Sequence, residues 1–113
     1  MEVGFFTMPI HPIDKDYKKT LSEDREAFLL ADKIGFSEAY CGEHVTDAAE
    51  NITSSALFIA SLAAETKNIR LGTGTVNMPN SHPAAIAGQI AMLDHMLDGR
   101  FNFGISPIMT SIK

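Results

Sequence analysis

A length of 113 residues, with 45% hydrophobic and 20% charged side chains, is typical of one globular domain rather than of a disordered or fibrous chain. The net charge of −5 and the absence of any Lys/Arg cluster argue against a nucleic-acid partner. No apolar run reaches the roughly 20 residues that span a membrane, and the first residues lack the basic segment of a signal peptide. The single cysteine, Cys41, fits a reducing compartment, so we expect a cytoplasmic protein.

The first predicted element is a strand, at residues 3–8. This short apolar run is closed by Pro9, a pattern typical of a strand that is buried on both faces. Residues 10–19 are polar and contain a proline, which predicts a loop.

The second predicted element is a helix. Thr20 and Glu23 have the spacing of a capping box, which predicts a helical start at about Leu21. Gly35 then ends the helix. We expect its buried face to consist of the apolar residues at helical spacing, which are Ala27, Leu30, Ala31 and Ile34.

A second strand and a second helix are predicted at residues 36–40 and 54–66. The strand leads directly into Glu43 and His44, and residues 45–53 form a loop. The helix is apolar or small nearly all the way round, so we expect it to have no fully solvated face.

A third strand is predicted at residues 69–76, followed by a loop and a third helix. Ser81 is the expected N-cap of this helix, and Pro83 lies in its first turn. Gly99 ends the helix, and residues 101–106 form a fourth strand. One apolar helical face is predicted from Ile86, Ile90, Leu93 and Leu97.

The resulting order, βαβαβαβ, has no internal linker and predicts an α/β fold with a parallel sheet and right-handed crossovers. Four strands and three helices correspond to the N-terminal half of a (β/α)8 TIM barrel. We therefore expect residues 1–113 to be a single partial barrel domain, truncated, with the C-terminal half of the barrel absent. The first and fourth strands would then each have an open edge.

Five stretches of this chain resemble the bacterial-luciferase-like, flavin-dependent monooxygenases, especially their limonene-monooxygenase-like branch. The resemblance runs from about residue 2 to residue 107. The stretches are GFF at 4–6, EDREAFLLADKIGFSEAYCGEH at 23–44, AENI at 49–52, IRLGTGTVNMPNSHP at 69–83 and MLDHMLDGRFNFGIS at 92–106.

The resemblance implies an oxidoreductase. Such a barrel binds reduced FMN, or F420 in some branches, at the carboxyl ends of its strands. It inserts one oxygen atom from O2 into an organic substrate through a C4a-peroxyflavin, and a flavin reductase supplies the electrons in full-length members. The sequence itself gives no substrate.

His44 is the candidate catalytic residue. In similar enzymes a histidine at this position lies near the reactive edge of the flavin and handles a proton, which suits a group that titrates near neutrality. The alternative is a loop histidine bonded to neighbouring backbone. Many relatives carry a second histidine at the next position, where this chain has Val45.

The candidate cofactor-binding residues are Gly74, Thr75, Asn77 and Ser106. The glycines at 72 and 74 do not form a dinucleotide fingerprint, because they lie within a strand rather than at a strand-to-helix turn. The resemblance implies that the Gly74–Thr75 peptide bulges beneath the flavin ring, with its cis or trans isomer left open. The alternative for Asn77 and Ser106 is that small polar residues commonly end strands.

The remaining histidines and the cysteine have structural interpretations. His82 is expected to cap or to bond its loop, and His11 and His95 are expected to be structural. Cys41 is expected to be buried at a strand end. No residues have the spacing of a metal site.

The chain departs from the family pattern after the GRFNFGIS stretch, because relatives continue with a Gly-rich turn where this chain reads PIMTSIK. The groups that hold the flavin phosphate are implied to lie in the absent half, which leaves catalysis by this chain uncertain. The alternative is a non-catalytic, self-associating half-barrel, or a flavin-binding protein without turnover. A homo-oligomer, most simply a dimer, would form through helices 54–66 and 82–98 or through strand edges, with no nucleic acid or membrane as partner.

Overall fold

Strands and helices alternate along the computed structural model, which describes residues 1–107. Residues 108–113, which belong to the tail that departs from the family pattern, lie outside the described residues. The elements are β1 (Gly4–Thr7), α1 (Tyr17–Ile34), β2 (Glu38–Cys41), α2 (Ser55–Ala60), β3 (Arg70–Thr73), β4 (Val76–Asn77), a 3₁₀ turn (Met78–Asn80), α3 (Pro83–Met96), β5 (Phe101–Asn102) and β6 (Ile105–Ser106).

The main sheet is parallel, in the order β1-β2-β3-β5. Its register places Tyr40 beside Phe6 on one side and beside Gly72 on the other. The predicted parallel α/β fold with three helices is therefore confirmed. None of the helices within residues 1–107 is long and apolar enough to cross a membrane.

Two predicted strands are each divided in the structure. The strand predicted at 69–76 is β3 and β4, and the one predicted at 101–106 is β5 and β6. β4 and β6 pair in a separate parallel ribbon, with Asn77 opposite Ser106. At the division, Thr73 Oγ1 donates to the carbonyl of Gly104 (2.8 Å) and accepts from its N–H (2.9 Å). These side-chain hydrogen bonds replace the backbone hydrogen bonds of the regular sheet there, so each predicted strand is interrupted at this point.

Helix α1 begins one turn earlier than predicted, because Asp16 caps it: the Asp16 carboxylate accepts from Lys19 N at 3.0 Å. The predicted capping box is wrong. The Thr20 hydroxyl instead donates to the Tyr17 carbonyl at 2.7 Å.

The buried face of α1 also differs from the prediction. Its buried residues include Phe28 and Ala31, whereas Leu30 and Ile34 are 55% and 60% exposed. The Phe28 ring lies 4.9 Å from the ring of Phe5 and 5.2 Å from that of Phe58. Burial of this one large ring rotates the helix relative to the predicted apolar stripe.

Helix α2 is shorter than predicted and is capped by Ser54, whose hydroxyl accepts from Leu57 N at 3.2 Å. Turns follow Ala60, and the apolar side chains continue to face the core through Ala63. Leu57, at 74% exposure, is the large apolar side chain that α2 leaves in solvent. Most of the apolar surface predicted at 54–66 is therefore buried within the chain itself.

Helix α3 is capped by His82 rather than by Ser81. His82 Nδ1 accepts from Ala84 N at 3.1 Å, and Pro83 occupies the first helical position. The predicted capping role of His82 is confirmed. The predicted apolar face is also confirmed: Ile86, Leu93 and Leu97 are buried, and Ile90 packs against the core.

The sheet has two different faces. Side chains on the helix side form the apolar core, together with the helices; they are Phe5, Ala39, Cys41, Leu71 and Phe101. Burial raises the pKa of the Cys41 thiol, helped by the charge of Glu43, so this thiol stays protonated and unreactive.

The opposite face is polar. Asn102 Nδ2 donates to the Tyr40 hydroxyl (2.9 Å), which donates to Glu38 (3.1 Å), and Arg70 donates to Asn102 Oδ1 (2.7 Å). Phe6 on this face is 54% exposed, so the prediction that β1 is buried on both faces is wrong. In the part of the chain that the structure describes, the helices cover only one face of the sheet.

Asp32, near the end of α1, accepts hydrogen bonds from the backbone of the segment that precedes β3. The donors are the N–H groups of Lys67 (2.9 Å), Asn68 (3.0 Å) and Ile69 (2.9 Å). Partial burial acts to raise the pKa of Asp32, but these three donors outweigh it and hold the pKa below the ordinary value of 3.8.

We expect Asp32→Ala to lower the free energy of unfolding by about 1–2 kcal/mol at neutral pH, because three N–H groups lose a charged acceptor. Since the folded-state pKa is lowered, this contribution is present above the ordinary pKa and disappears as the pH falls through the folded-state value. Urea unfolding at neutral and acidic pH measures both effects. Asp14→Ala, at an exposed loop aspartate, is the control. Equal stability of the two variants at neutral pH would contradict the assignment.

Candidate functional site

The carboxyl ends of the strands meet at one rim of the sheet. Gly42 N donates to the carbonyl of Thr7 (3.0 Å), and Gly74 N donates to the carbonyl of Cys41 (2.8 Å). Val76 N donates to the carbonyl of Gly104 (2.9 Å). These bonds continue the sheet beyond its regular strands and bring the loops after β1, β2 and β3 together.

A cleft of about 330 Å³ opens at this rim. This volume is at the lower end of the range of about 300–1,000 Å³ for small-molecule sites. The structure brings together all the predicted site residues, although their chemical roles stay predictions. The cleft is lined by Phe6, Met8, Glu43, His44, Gly74, Thr75, Asn77 and Ser106.

The Gly74–Thr75 peptide bond, whose isomer the sequence leaves open, is cis. A Cβ atom at position 74 would lie 2.9 Å from Cε2 of Phe6 and 3.3 Å from Cβ of Tyr40. Glycine therefore leaves space beside the Phe6 ring that any other residue would fill. The cleft accordingly has bare backbone at Gly74 and an aromatic ring at Phe6.

Glu43 lies in the cleft and has a bonding role that the sequence does not predict. Its Oε2 accepts from both the N–H and the hydroxyl of Ser55 (2.9 Å each), and its Oε1 accepts from Asn77 N (2.8 Å). Its backbone carbonyl also accepts from Asn77 Nδ2 (3.2 Å). One carboxylate thus connects the end of β2, the start of α2 and the end of β4. The available signal was an acidic residue directly after a strand, followed by a helix that opens with two serines.

His44 lies in the cleft on the loop that follows β2. Its backbone N–H donates to the carbonyl of Ile52 at 2.9 Å, and its ring Nδ1 contacts Oε2 of Glu50. The side chain of His44 is 34% exposed and that of Glu50 is 17% exposed. The main chain of His44 thus bonds within the loop, while its ring pairs with the Glu50 carboxylate. Val45, where many relatives have a second histidine, is exposed.

The other predicted structural histidines lie outside the cleft. His11 Nε2 lies 2.9 Å from Oδ1 of Asp24, and His82 caps α3. His95 is exposed on α3. Within residues 1–107, no group of three or more His, Cys, Asp or Glu side chains is placed to hold a metal ion.

The lining of the cleft indicates which ligands fit it. Phe6 and Met8 offer apolar contact, while Asn77 and Ser106 offer polar groups at one end of the β4–β6 ribbon. Among residues 1–107, no lysine or arginine lines the cleft, and Glu43 is already committed to three donors. The site suits a planar aromatic group with hydrogen-bonding edges, and it offers no cation for a phosphate.

The fold and this rim cleft define a class: a parallel α/β protein with a cleft at the carboxyl ends of its strands, where such folds generally bind ligands. Residues 1–107 match the family described as luciferase-like monooxygenase, and the chain belongs to that family. The predicted family is therefore confirmed.

Individual relatives agree with this membership. The chain is 40% identical over 102 residues to 4-hydroxyprotoasukamycin monooxygenase from Streptomyces nodosus subsp. asukaensis, covering 90% of this chain and 28% of that protein. It is 36% identical over 107 residues to limonene 1,2-monooxygenase from Rhodococcus erythropolis, covering 95% of this chain and 28% of that protein.

A solved structure is similar over the whole chain. It is the oxygenating constituent of 3,6-diketocamphane monooxygenase from Pseudomonas putida, in complex with FMN, with a TM-score of 0.89 and 29% sequence identity. The match covers 100% of this chain and 30% of that one. The chain therefore spans less than a third of the length of each of these three proteins.

Proposed function

We propose that this chain forms the flavin-ring part of a luciferase-like, flavin-dependent monooxygenase site. In this proposal residues 1–113 are one partial domain of a (β/α)8 barrel. The single observation that carries it is that His44, Gly74, Thr75, Asn77 and Ser106 all line one rim cleft. The similar structure bound to FMN supports reduced FMN as the cofactor. F420, the alternative cofactor, would place a ring of the same shape in the same cleft.

Each lining residue has a distinct part in the proposed site. The backbone of Gly74 and Thr75 would support the ring. Phe6 and Met8 would exclude water from its apolar part. Asn77 and Ser106, at the end of the ribbon, would form hydrogen bonds with its polar edge. His44 would hold or release a proton at Nε2, the nitrogen that does not contact Glu50. Reduced flavin, when bound, supplies the activation of O2 that lets one oxygen atom enter an organic substrate.

This cleft offers contacts to the ring of the cofactor but not to its phosphate. A phosphate requires cationic side chains or free backbone N–H groups, as at the start of a helix. Within residues 1–107, no arginine or lysine reaches the cleft, and the acidic side chain there would oppose an added negative charge. We therefore propose that ring contacts alone determine the affinity of this chain for flavins, and that phosphate binding and turnover need groups outside it.

We expect riboflavin and FMN to bind this chain with dissociation constants within about threefold of each other. The two ligands differ only in the phosphate, for which the cleft, within residues 1–107, offers no cationic contact. Met8→Trp should weaken riboflavin binding by about tenfold or more, since the indole fills the cleft. Met96→Trp is the matched control: Met8 is 43% exposed and Met96 is 44% exposed, and Met96 lies on α3. Quenching of flavin fluorescence measures all these affinities.

Two results would contradict the ring-only site. One is equal riboflavin affinity for the Met8→Trp and Met96→Trp variants, which would place the flavin elsewhere. The other is FMN binding more than about tenfold tighter than riboflavin, which would require a phosphate contact. Absence of any binding at millimolar flavin would contradict the proposed function itself.

A second candidate function is a non-catalytic, self-associating half-barrel. Within residues 1–107, β1 and β5 each have a strand on only one side. Exposed apolar side chains lie at these strands or close to them, at Val3, Phe103 and Ile105. Two copies that paired β5 of one with β1 of the other, and the reverse, would form eight parallel strands and cover both polar faces. Because α2 buries most of its apolar surface in the chain, we propose these edges rather than the helices as the interface.

The edge interface predicts a dimer in sedimentation equilibrium of the purified chain. Ile105→Lys should weaken it by about tenfold or more, because Ile105 lies in β6 at 57% exposure and a lysine there opposes pairing. Leu57→Lys, on the exposed side of α2, is the matched control and should have no effect. A stronger effect of Leu57→Lys would place the interface on the helices, and a monomer at every concentration would exclude the dimer.

A further inference from the structure

The loop between β2 and α2 is held firmly on both sides of Glu50. His11 N donates to the carbonyl of Ala49 at 2.8 Å. On the other side, the Tyr17 hydroxyl donates to the carbonyl of Asn51 at 2.6 Å. Both donors belong to the start of α1 or to the loop that precedes it. The backbone around Glu50 is therefore fixed by an element that takes no part in the cleft.

A buried polar network strengthens this attachment. Asn51 Nδ2 donates to Oγ1 of Thr20 (2.9 Å) and to Oδ2 of Asp24 (2.8 Å), and Asn51 is only 3% exposed. The same Asp24 carboxylate lies 2.9 and 3.1 Å from Nε2 of His11. Buried polar groups that bond one another are costly to separate, because each would lose its partner away from water.

The consequence of this rigidity appears at His44. The fixed loop places the Glu50 carboxylate against Nδ1 of the His44 ring. An ionised carboxylate only accepts hydrogen bonds, so a hydrogen bond between this carboxylate and Nδ1 requires the proton to be on Nδ1. Which nitrogen of a neutral histidine is protonated depends on the bond that the other one makes. In neutral His44, Nε2 is then left without a proton, as an acceptor.

We propose that Glu50 is a positioning residue that holds His44 in its Nδ1–H tautomer and leaves Nε2 as the proton acceptor of the cleft. This inference rests on the proposed function only for the use of that acceptor; the tautomer itself does not depend on flavin. Glu50, on the same loop, contacts the His44 ring, and Glu43, whose carboxylate is bonded to Ser55 and Asn77, lines the same cleft. Asp47 lies on this loop too, bonded to the N–H of Ala49 at 2.9 Å.

Nitrogen-15 spectra of the histidine rings in the labelled chain, recorded at an alkaline pH at which the ring shifts no longer change, test the proposal. We expect His44 to show the Nδ1–H tautomer. Glu50→Gln should keep it, because the amide oxygen of glutamine still accepts a hydrogen bond. Glu50→Ala should convert His44 to the Nε2–H tautomer that predominates in free histidine. His95, exposed on α3, is the internal control and should not change.

Two results would overturn the inference: an Nε2–H tautomer of His44 in the unsubstituted chain, or an unchanged Nδ1–H tautomer in Glu50→Ala. Retained dispersion of the backbone amide signals shows that each variant is folded. Glu50→Gln keeps a hydrogen-bond acceptor at position 50, so it distinguishes loss of that acceptor from a change in the loop conformation. If the Nδ1–H tautomer is present but riboflavin does not bind, the proposed function fails and the positioning role stands. If riboflavin binds and the tautomer is Nε2–H, the positioning role fails and the proposed function stands.

Discussion

The carboxylate of Glu43 is the interaction on which the rim cleft depends. Its two oxygens accept from Ser55 at the start of α2 and from Asn77 at the end of β4, two segments that are far apart in sequence. Ser55 is fully buried, so its donors have no water to replace the carboxylate. Because β4 pairs with β6, fixing Asn77 also fixes Ser106 on the opposite side of the ribbon.

The two faces of the sheet explain why the cleft lies at the rim. The helix side is filled by apolar side chains around Phe28, and the opposite face is occupied by the bonded chain of Glu38, Tyr40, Asn102 and Arg70. Side chains occupy both faces of the sheet, and the cleft that gathers the predicted site residues lies at the loops after the strands. In parallel α/β folds this carboxyl edge is where ligands generally bind. The polar face and the open edges are also the surfaces that another half of a barrel, or a second copy, would cover.

The fold could be predicted from the sequence because strands and helices alternate with clear apolar patterns, as at Ile86, Leu93 and Leu97. The buried face of α1 could not, because packing of the single Phe28 ring outweighs the stripe that contains Leu30 and Ile34. The members of the cleft came from family resemblance. The roles of Glu43 and Glu50 could not be predicted, because their bonding partners are set by the fold and not by a local pattern.

Amide hydrogen exchange in the Glu43→Ala variant tests the central claim most directly. We expect the amide protons of Ser55 and Asn77 to exchange at least about tenfold faster than in the unsubstituted chain, since each loses its acceptor. The amide of Leu71, which bonds to the carbonyl of Arg100 within the sheet, should exchange at an unchanged rate. Unchanged exchange at Ser55 and Asn77 in a folded Glu43→Ala variant would show that the cleft is held by other contacts and would contradict this account.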